Sequence, residues 1–166
     1  MALEKPKLEV FLSYLKMIEN SVGSALFRNL YFTIGGKETD VLEDGDLSCA
    51  TYVSSLLYLF GLIGERHTTV SGTVEDMEKS GWQKIDEPRI GAVILWGFKK
   101  KDDGTQGKHR HLGFYIDGET AISNSSDTRV IERHHPNYGT FPDGEVKRDI
   151  LAYYWHAALD KPLIQT

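Results

Sequence analysis

The stretch that most constrains this chain runs from Asp44 to Leu62. A turn-forming run, Asp44-Gly45-Asp46, leads into Ser48, and the only cysteine of the chain, Cys49, comes next. Val53, Leu56, Leu57, Phe60 and Ile63 then recur at helical spacing, while Tyr58, Leu59 and Leu62 fill the remaining sides. A helix apolar all round must be buried. The sequence therefore predicts a central buried helix, with Ser48 as its N-cap and Cys49 in its first turn. Unpaired N–H groups and the positive end of the helix dipole favour a thiolate there, the form that attacks carbonyl carbon.

The rest of the chain narrows the chemistry. A formal charge of -5 and a pI near 5.7 provide no basic stripe for nucleic acid. The run Lys99-Lys100-Lys101 is followed at once by Asp102 and Asp103, which reads as a solvated loop. One cysteine excludes an internal disulfide. Glu4, Glu9 and Glu19 interrupt the first apolar positions, so no secretory leader is expected. No apolar run is long enough for a membrane span. No cofactor is implied by any motif.

Leu8, Phe11, Leu12, Leu15 and Ile18 predict an amphipathic helix that extends towards Leu26. Leu30 to Gly36 is an apolar patch closed by two glycines, and Lys37 to Asp46 reads as loop. Thr73-Val74-Glu75-Asp76 predicts a helix start and Gly81 a stop. Strands are expected over 90–98, 111–116, 120–124, 129–133 and 150–156, with Asp117-Gly118 as a hairpin turn and a polar, Pro-broken tail. Helices followed by antiparallel strands make an α+β domain, its helices packed on a meander sheet.

Among six histidines, His111 opens a strand directly after a polar loop, a place where scaffolds present reactive groups. The hairpin returns Ser123 and Asn124 to its side. Adjacent strand residues face opposite ways, so one of the two orients the imidazole. Nucleophile, base and orienter make a triad.

Ser48-Cys49-Ala50-Thr51-Tyr52-Val53, Pro88-Arg89-Ile90-Gly91-Ala92-Val93-Ile94-Leu95, His111-Leu112-Gly113-Phe114-Tyr115-Ile116 and Ala121-Ile122-Ser123-Asn124-Ser125-Ser126 follow one another in the order and spacing of NlpC-type cell-wall peptidases. Phe32-Thr33-Ile34-Gly35-Gly36 is similar to that family's aromatic segment upstream of the cysteine. The chain thus resembles this papain-like family over residues 30–156, and the related CHAP-type amidases share the plan. The resemblance implies a single papain-like domain over 1–166, with 1–30 as a helical cover and 31–160 as the catalytic core. It implies hydrolysis of a peptidoglycan stem peptide or similar peptide by Cys49 and His111. The third position, commonly His, falls on Ser123 with Asn124 beside it, and Asn124 is the first choice. Ser48 would assist the Cys49 N–H at the oxyanion, and Tyr31 and Phe32 would line the substrate groove.

Two rival readings compete. His109-x-His111 together with His134-His135 suggests a metal site, but the spacings fit poorly. Trp82, Trp96, Trp155 and eight tyrosines suggest a peptide- or glycan-binding module, although such residues are ordinarily core.

Overall fold

The computed structural model describes residues 5–160. Residues 1–4 of the expected helical cover and the tail beyond Asp160 lie outside that range. In chain order the elements are α1 (Val10–Asn20), the strands β1 (Tyr31–Ile34) and β2 (Lys37–Asp40), α2 (Cys49–Leu59) and α3 (Val70–Lys79). Six strands follow: β3 (Gln83–Ile85), β4 (Val93–Trp96), β5 (His111–Asp117), β6 (Thr120–Asn124), β7 (Ile131–His134) and β8 (Ile150–Trp155). A 3₁₀ turn, Ala157–Leu159, closes the described chain.

The helix α2 lies at the centre, as its apolar run requires. Ala50, Tyr52, Val53, Leu56 and Leu57 are buried, whereas Tyr58 and Leu59 emerge into solvent in the last turn. The face α1 buries is rotated from the expected leucine stripe. Tyr14, Leu15 and Ile18 point inward, and Leu8 and Leu12 are exposed. Tyr14 decides this. Its ring meets Phe60 and Phe114 edge-on and its hydroxyl donates to Gly91 O at 2.8 Å, which satisfies the one polar atom of a large buried side chain.

Besides α1, which ends at Asn20 short of Leu26, and β3, which the expected strands did not include, two elements differ from the sequence expectation. Lys37–Asp40 pairs with Tyr31–Ile34 as a hairpin across Gly35-Gly36, both at positive φ, so part of the expected loop is strand. The helix α3 starts three residues before Thr73. Thr69 is its N-cap and accepts from Gly72 N–H. Gly81 ends it as expected: at φ 99° it lets Trp82 N–H reach back to Met77 O.

The main sheet is antiparallel, in the order β3-β8-β4-β5-β6-β7. Only β4 to β7 form the expected meander. The last strand, β8, inserts between β3 and β4. One face, with Val93, Leu95, Leu112, Phe114 and Ile122, packs in the same core as α2. The alternate residues Ile94, Trp96 and Ala121 form a second cluster on the opposite face. The chain is therefore α+β, with its cysteine at the N-terminal end of a buried helix that packs on β5 and β6.

Candidate active site

The loop entering α2 is held in an unfavourable conformation. Glu43, Asp44 and Gly45 all have positive φ (50°, 54° and 94°), at a cost of order 1–3 kcal/mol for each non-glycine residue. Several bonds impose it. The Asp40 carboxylate accepts from Leu30, Leu42 and Asp44 N–H, and these bonds, Leu30 first, lower its pKa to about 2. Arg28 grips Asp44 through two nitrogens, and Arg129 donates to Glu43 O and Asp44 O. Asn124 donates to Gly45 O at 2.8 Å.

That bond corrects the expectation for Asn124, which holds the cysteine loop and makes no hydrogen bond to His111. The partner of His111 is Ser123, with Nε2 and Oγ 2.9 Å apart. The reason is a bulge. A regular hairpin from Asp117↔Thr120 would set Gly113 opposite Asn124. The register shifts between Tyr115 and Asp117, so Gly113 faces Ser123 instead. One extra residue flips every later side chain to the other face.

Gly113 is required between the two. A Cβ there would lie 2.6 Å from Ile122 O, 2.7 Å from Ser123 Cβ and 2.9 Å from the Trp96 ring. Ser123 Oγ also lies 2.7 Å from His134 Nε2 and 3.1 Å from the Tyr138 hydroxyl. Trp96 packs beside His111, His134 and Tyr138, and Tyr138 stacks on His134. His134 and Tyr138 were not foreseen as site residues. The pair His134-His135 was visible only as a weak metal motif.

Ser48 occupies the N-cap position but its side chain makes no capping bond. The first N–H groups of α2 are therefore not claimed by a cap. Burial pushes the Cys49 thiol pKa up, the reverse of the sequence expectation. Hydrogen bonds from Leu112, Ala50 and Cys49 N–H and the charge of Arg148 pull the other way. Burial, followed by the charges of Arg148 and of His134, holds His111 well below the ordinary imidazole range. The resting pair is thus thiol and neutral imidazole, and no hydrogen bond joins them. Arg148 is 7% exposed and lacks a carboxylate partner among the described residues. It donates to Gly97 O and His109 O, and its guanidinium lies over the Tyr138 ring.

A cleft of about 690 Å³ unites these groups. Cys49, His111, Ser123, Asn124, His134 and Arg148 all line it. Ser48 does not; it is fully buried and its hydroxyl has no hydrogen-bond partner among the described residues. Tyr31 and Phe32, 65% and 50% exposed, line a separate, larger cavity that meets the cleft at Thr68. Of the expected groove residues, none therefore lines the cysteine cleft. Among the described residues no group of three or more His, Cys, Asp or Glu side chains is placed to hold a metal ion, and no helix is long and apolar enough to cross a membrane. No protein-family model matches the chain, and no curated protein matches it.

Proposed function

We propose that the chain is a papain-like cysteine amidase or peptidase of the NlpC type, acting on a peptide amide such as that of a peptidoglycan stem peptide. The observation that carries this reading is one cleft lined by a cysteine at a helix start, a histidine at a strand start and a hydroxyl bonded to that histidine. The sequence resemblance assigns the same roles to Cys49 and His111.

Mechanistically, neutral His111 acts as a general base rather than as one half of a resting ion pair. It takes the Cys49 proton as sulfur attacks the carbonyl carbon. The Cys49 N–H, at a helix start without a side-chain cap, stabilises the oxyanion, and the Arg148 charge favours the thiolate. The His111 proton passes to the leaving amine, and a water activated by His111 then hydrolyses the thioester. The test is digestion of purified peptidoglycan by wild type and by Cys49→Ala, with fragments identified by mass spectrometry. New amine termini made only by the wild type are expected. Equal release by Cys49→Ala would overturn the reading.

A binding module is the second reading. Cys49 is only 8% exposed and its thiol pKa is raised by burial, which suits a structural cysteine. Alkylation separates the two. A thiol that reacts faster in wild type than in His111→Ala supports catalysis. A slow reaction indifferent to His111 supports binding.

A further inference from the structure

The hydrogen bonds around Ser123 have only one self-consistent direction when both histidines are neutral. His134 Nδ1 lies 2.9 Å from His135 O. A carbonyl only accepts, so His134 carries its proton on Nδ1 and its Nε2 is a lone pair. That lone pair takes the Ser123 hydroxyl proton at 2.7 Å. With its single proton spent, Ser123 Oγ can only accept from its other neighbours. It accepts from Tyr138 O–H at 3.1 Å and from His111 Nε2–H at 2.9 Å. One donation and two acceptances use the full capacity of a hydroxyl. His111 is left with its proton on Nε2 and its lone pair on Nδ1, which takes no hydrogen-bond partner among the described residues.

We propose that His134 is a positioning residue: acting through Ser123, it fixes His111 in the tautomer whose Nδ1 lone pair is available to the cleft. Four features support this. His134 sits on β7 opposite Ala121, on the sheet face that also carries Ser123 and His111. Its ring is stacked on Tyr138 at 4.0 Å between centroids and packed near Trp96, so its orientation is held. The bond to His135 O fixes which nitrogen bears the proton. Burial, ahead of the charge of Arg148, keeps the ring neutral by lowering its pKa, against the opposing hydrogen bond to His135 O. Serine alone could not impose the tautomer, because a hydroxyl donates or accepts as its neighbours dictate. The selection comes from the second histidine, in the way that an outer group sets the protonated nitrogen of a working imidazole. The role matters for catalysis only if the hydrolytic reading is right, but the tautomer itself is a property of the folded protein.

The experiment is long-range ¹H–¹⁵N correlation on protein labelled with ¹⁵N-histidine, recorded near neutral pH for wild type, His134→Phe and His134→Gln. In wild type, His111 is expected in the Nε2–H form and His134 in the Nδ1–H form. In His134→Phe, His111 is expected to lose its single tautomer, with kcat for amide hydrolysis falling about 10- to 100-fold at little changed KM. Gln presents an acceptor to Ser123 and is expected to restore both the spectrum and most of the rate, which a purely structural role would not predict. A wild-type His111 in the Nδ1–H form would overturn the proposal. So would a His134→Phe protein that melts cooperatively with the His111 tautomer unchanged. A failure of the hydrolytic reading is distinguishable, because it gives intact peptide substrate beside the expected wild-type nitrogen spectrum.

Discussion

The molecule contains two histidine clusters built on opposite principles. His67 meets a carboxylate, with Nε2 2.7 Å from Asp76 Oδ2. Asp76 accepts three further bonds, from Gly64 N–H, Glu65 N–H and Ser80 Oγ–H. Partial burial works against ionisation, yet these bonds hold its carboxyl well below the usual range. The cluster ties the loop after α2 to α3, and the His67 backbone is bonded in turn to Ser54 Oγ of α2. His111 meets a hydroxyl, in a network that contains two more ionisable rings and no carboxylate. A carboxylate would stabilise an imidazolium; a hydroxyl leaves the ring neutral and able to take a proton. The first cluster holds a loop, and the second, under the proposed hydrolytic reading, is arranged to take a proton.

The largest expected effect separates them by rate. His111→Ala should lower kcat/KM by about 10²–10⁴-fold, the range for loss of a general base, with a cooperative melt retained. His67→Ala should leave kcat/KM near the wild-type value and lower stability by about 1–3 kcal/mol, since it exposes a charged acceptor to loss of one bond. Steady-state kinetics and thermal melts on both variants decide the contrast. Equal rate losses would dissolve it.

Gly113→Ala comes next. The added methyl must displace Ile122 O or the Ser123 side chain. Overpacking of this kind costs about 1–3 kcal/mol, and a shift near 1 Å between His111 and Ser123 should cost about 10²-fold in rate. A variant active at the wild-type rate would show that the Ser123 contact does not matter.

Acid should dismantle the clusters in sequence. His111 and His134 have pKa values lowered by burial. Each contributes stability that is present above the unfolded value of about 6.5 and is lost as pH falls through the folded value. Asp76 has the same sign, but its unfolded value is about 3.9, so its contribution begins to fade only below that. The melting temperature should therefore decline in two stages. His111→Gln should flatten the upper stage and Asp76→Asn should reduce the lower one. A single decline below pH 4 would argue against buried neutral histidines.

The placement of Cys49 and His111 was legible in the sequence, the pairing of His67 with Asp76 was not, and the misses have physical causes. The all-apolar run after Cys49 dictated a buried helix, and the strand start after a polar loop marked the place of His111. Asn124 was mistaken for the orienter because the bulge at Tyr115–Asp117 reverses the parity of β6, and nothing in Tyr115-Ile116-Asp117 announces it. The thiolate expected from the helix dipole failed because burial outweighs the helix N–H groups. Arg148 and Tyr138 escaped notice since each lies in an irregular, turn-rich stretch and reaches the cleft only through tertiary packing. The insertion of β8 between β3 and β4 is a pairing across more than fifty residues, which no local pattern encodes.

The smallest expected effects come from the outermost hydrogen bond of each cluster, and they sharpen the comparison most. Ser80 Oγ donates to Asp76 at 3.0 Å, and Tyr138 and Ser123 hydroxyls lie 3.1 Å apart. Each bond is worth about 1 kcal/mol. In Ser80→Ala that loss should appear in the unfolding free energy, as a fall in melting temperature of about 2–4 °C, with the rate unaffected. In Tyr138→Phe the ring and its stacking on His134 remain, so the fold keeps most of its packing. What disappears is one of the two hydrogen bonds that Ser123 Oγ accepts, the other being the one from His111 Nε2–H. The loss should therefore appear in kcat, as roughly a fivefold fall, since 1.4 kcal/mol is a factor of ten. If both variants moved only the melting temperature, the network around Ser123 would be a packing device like the one around Asp76, and the distinction between the two histidines would collapse.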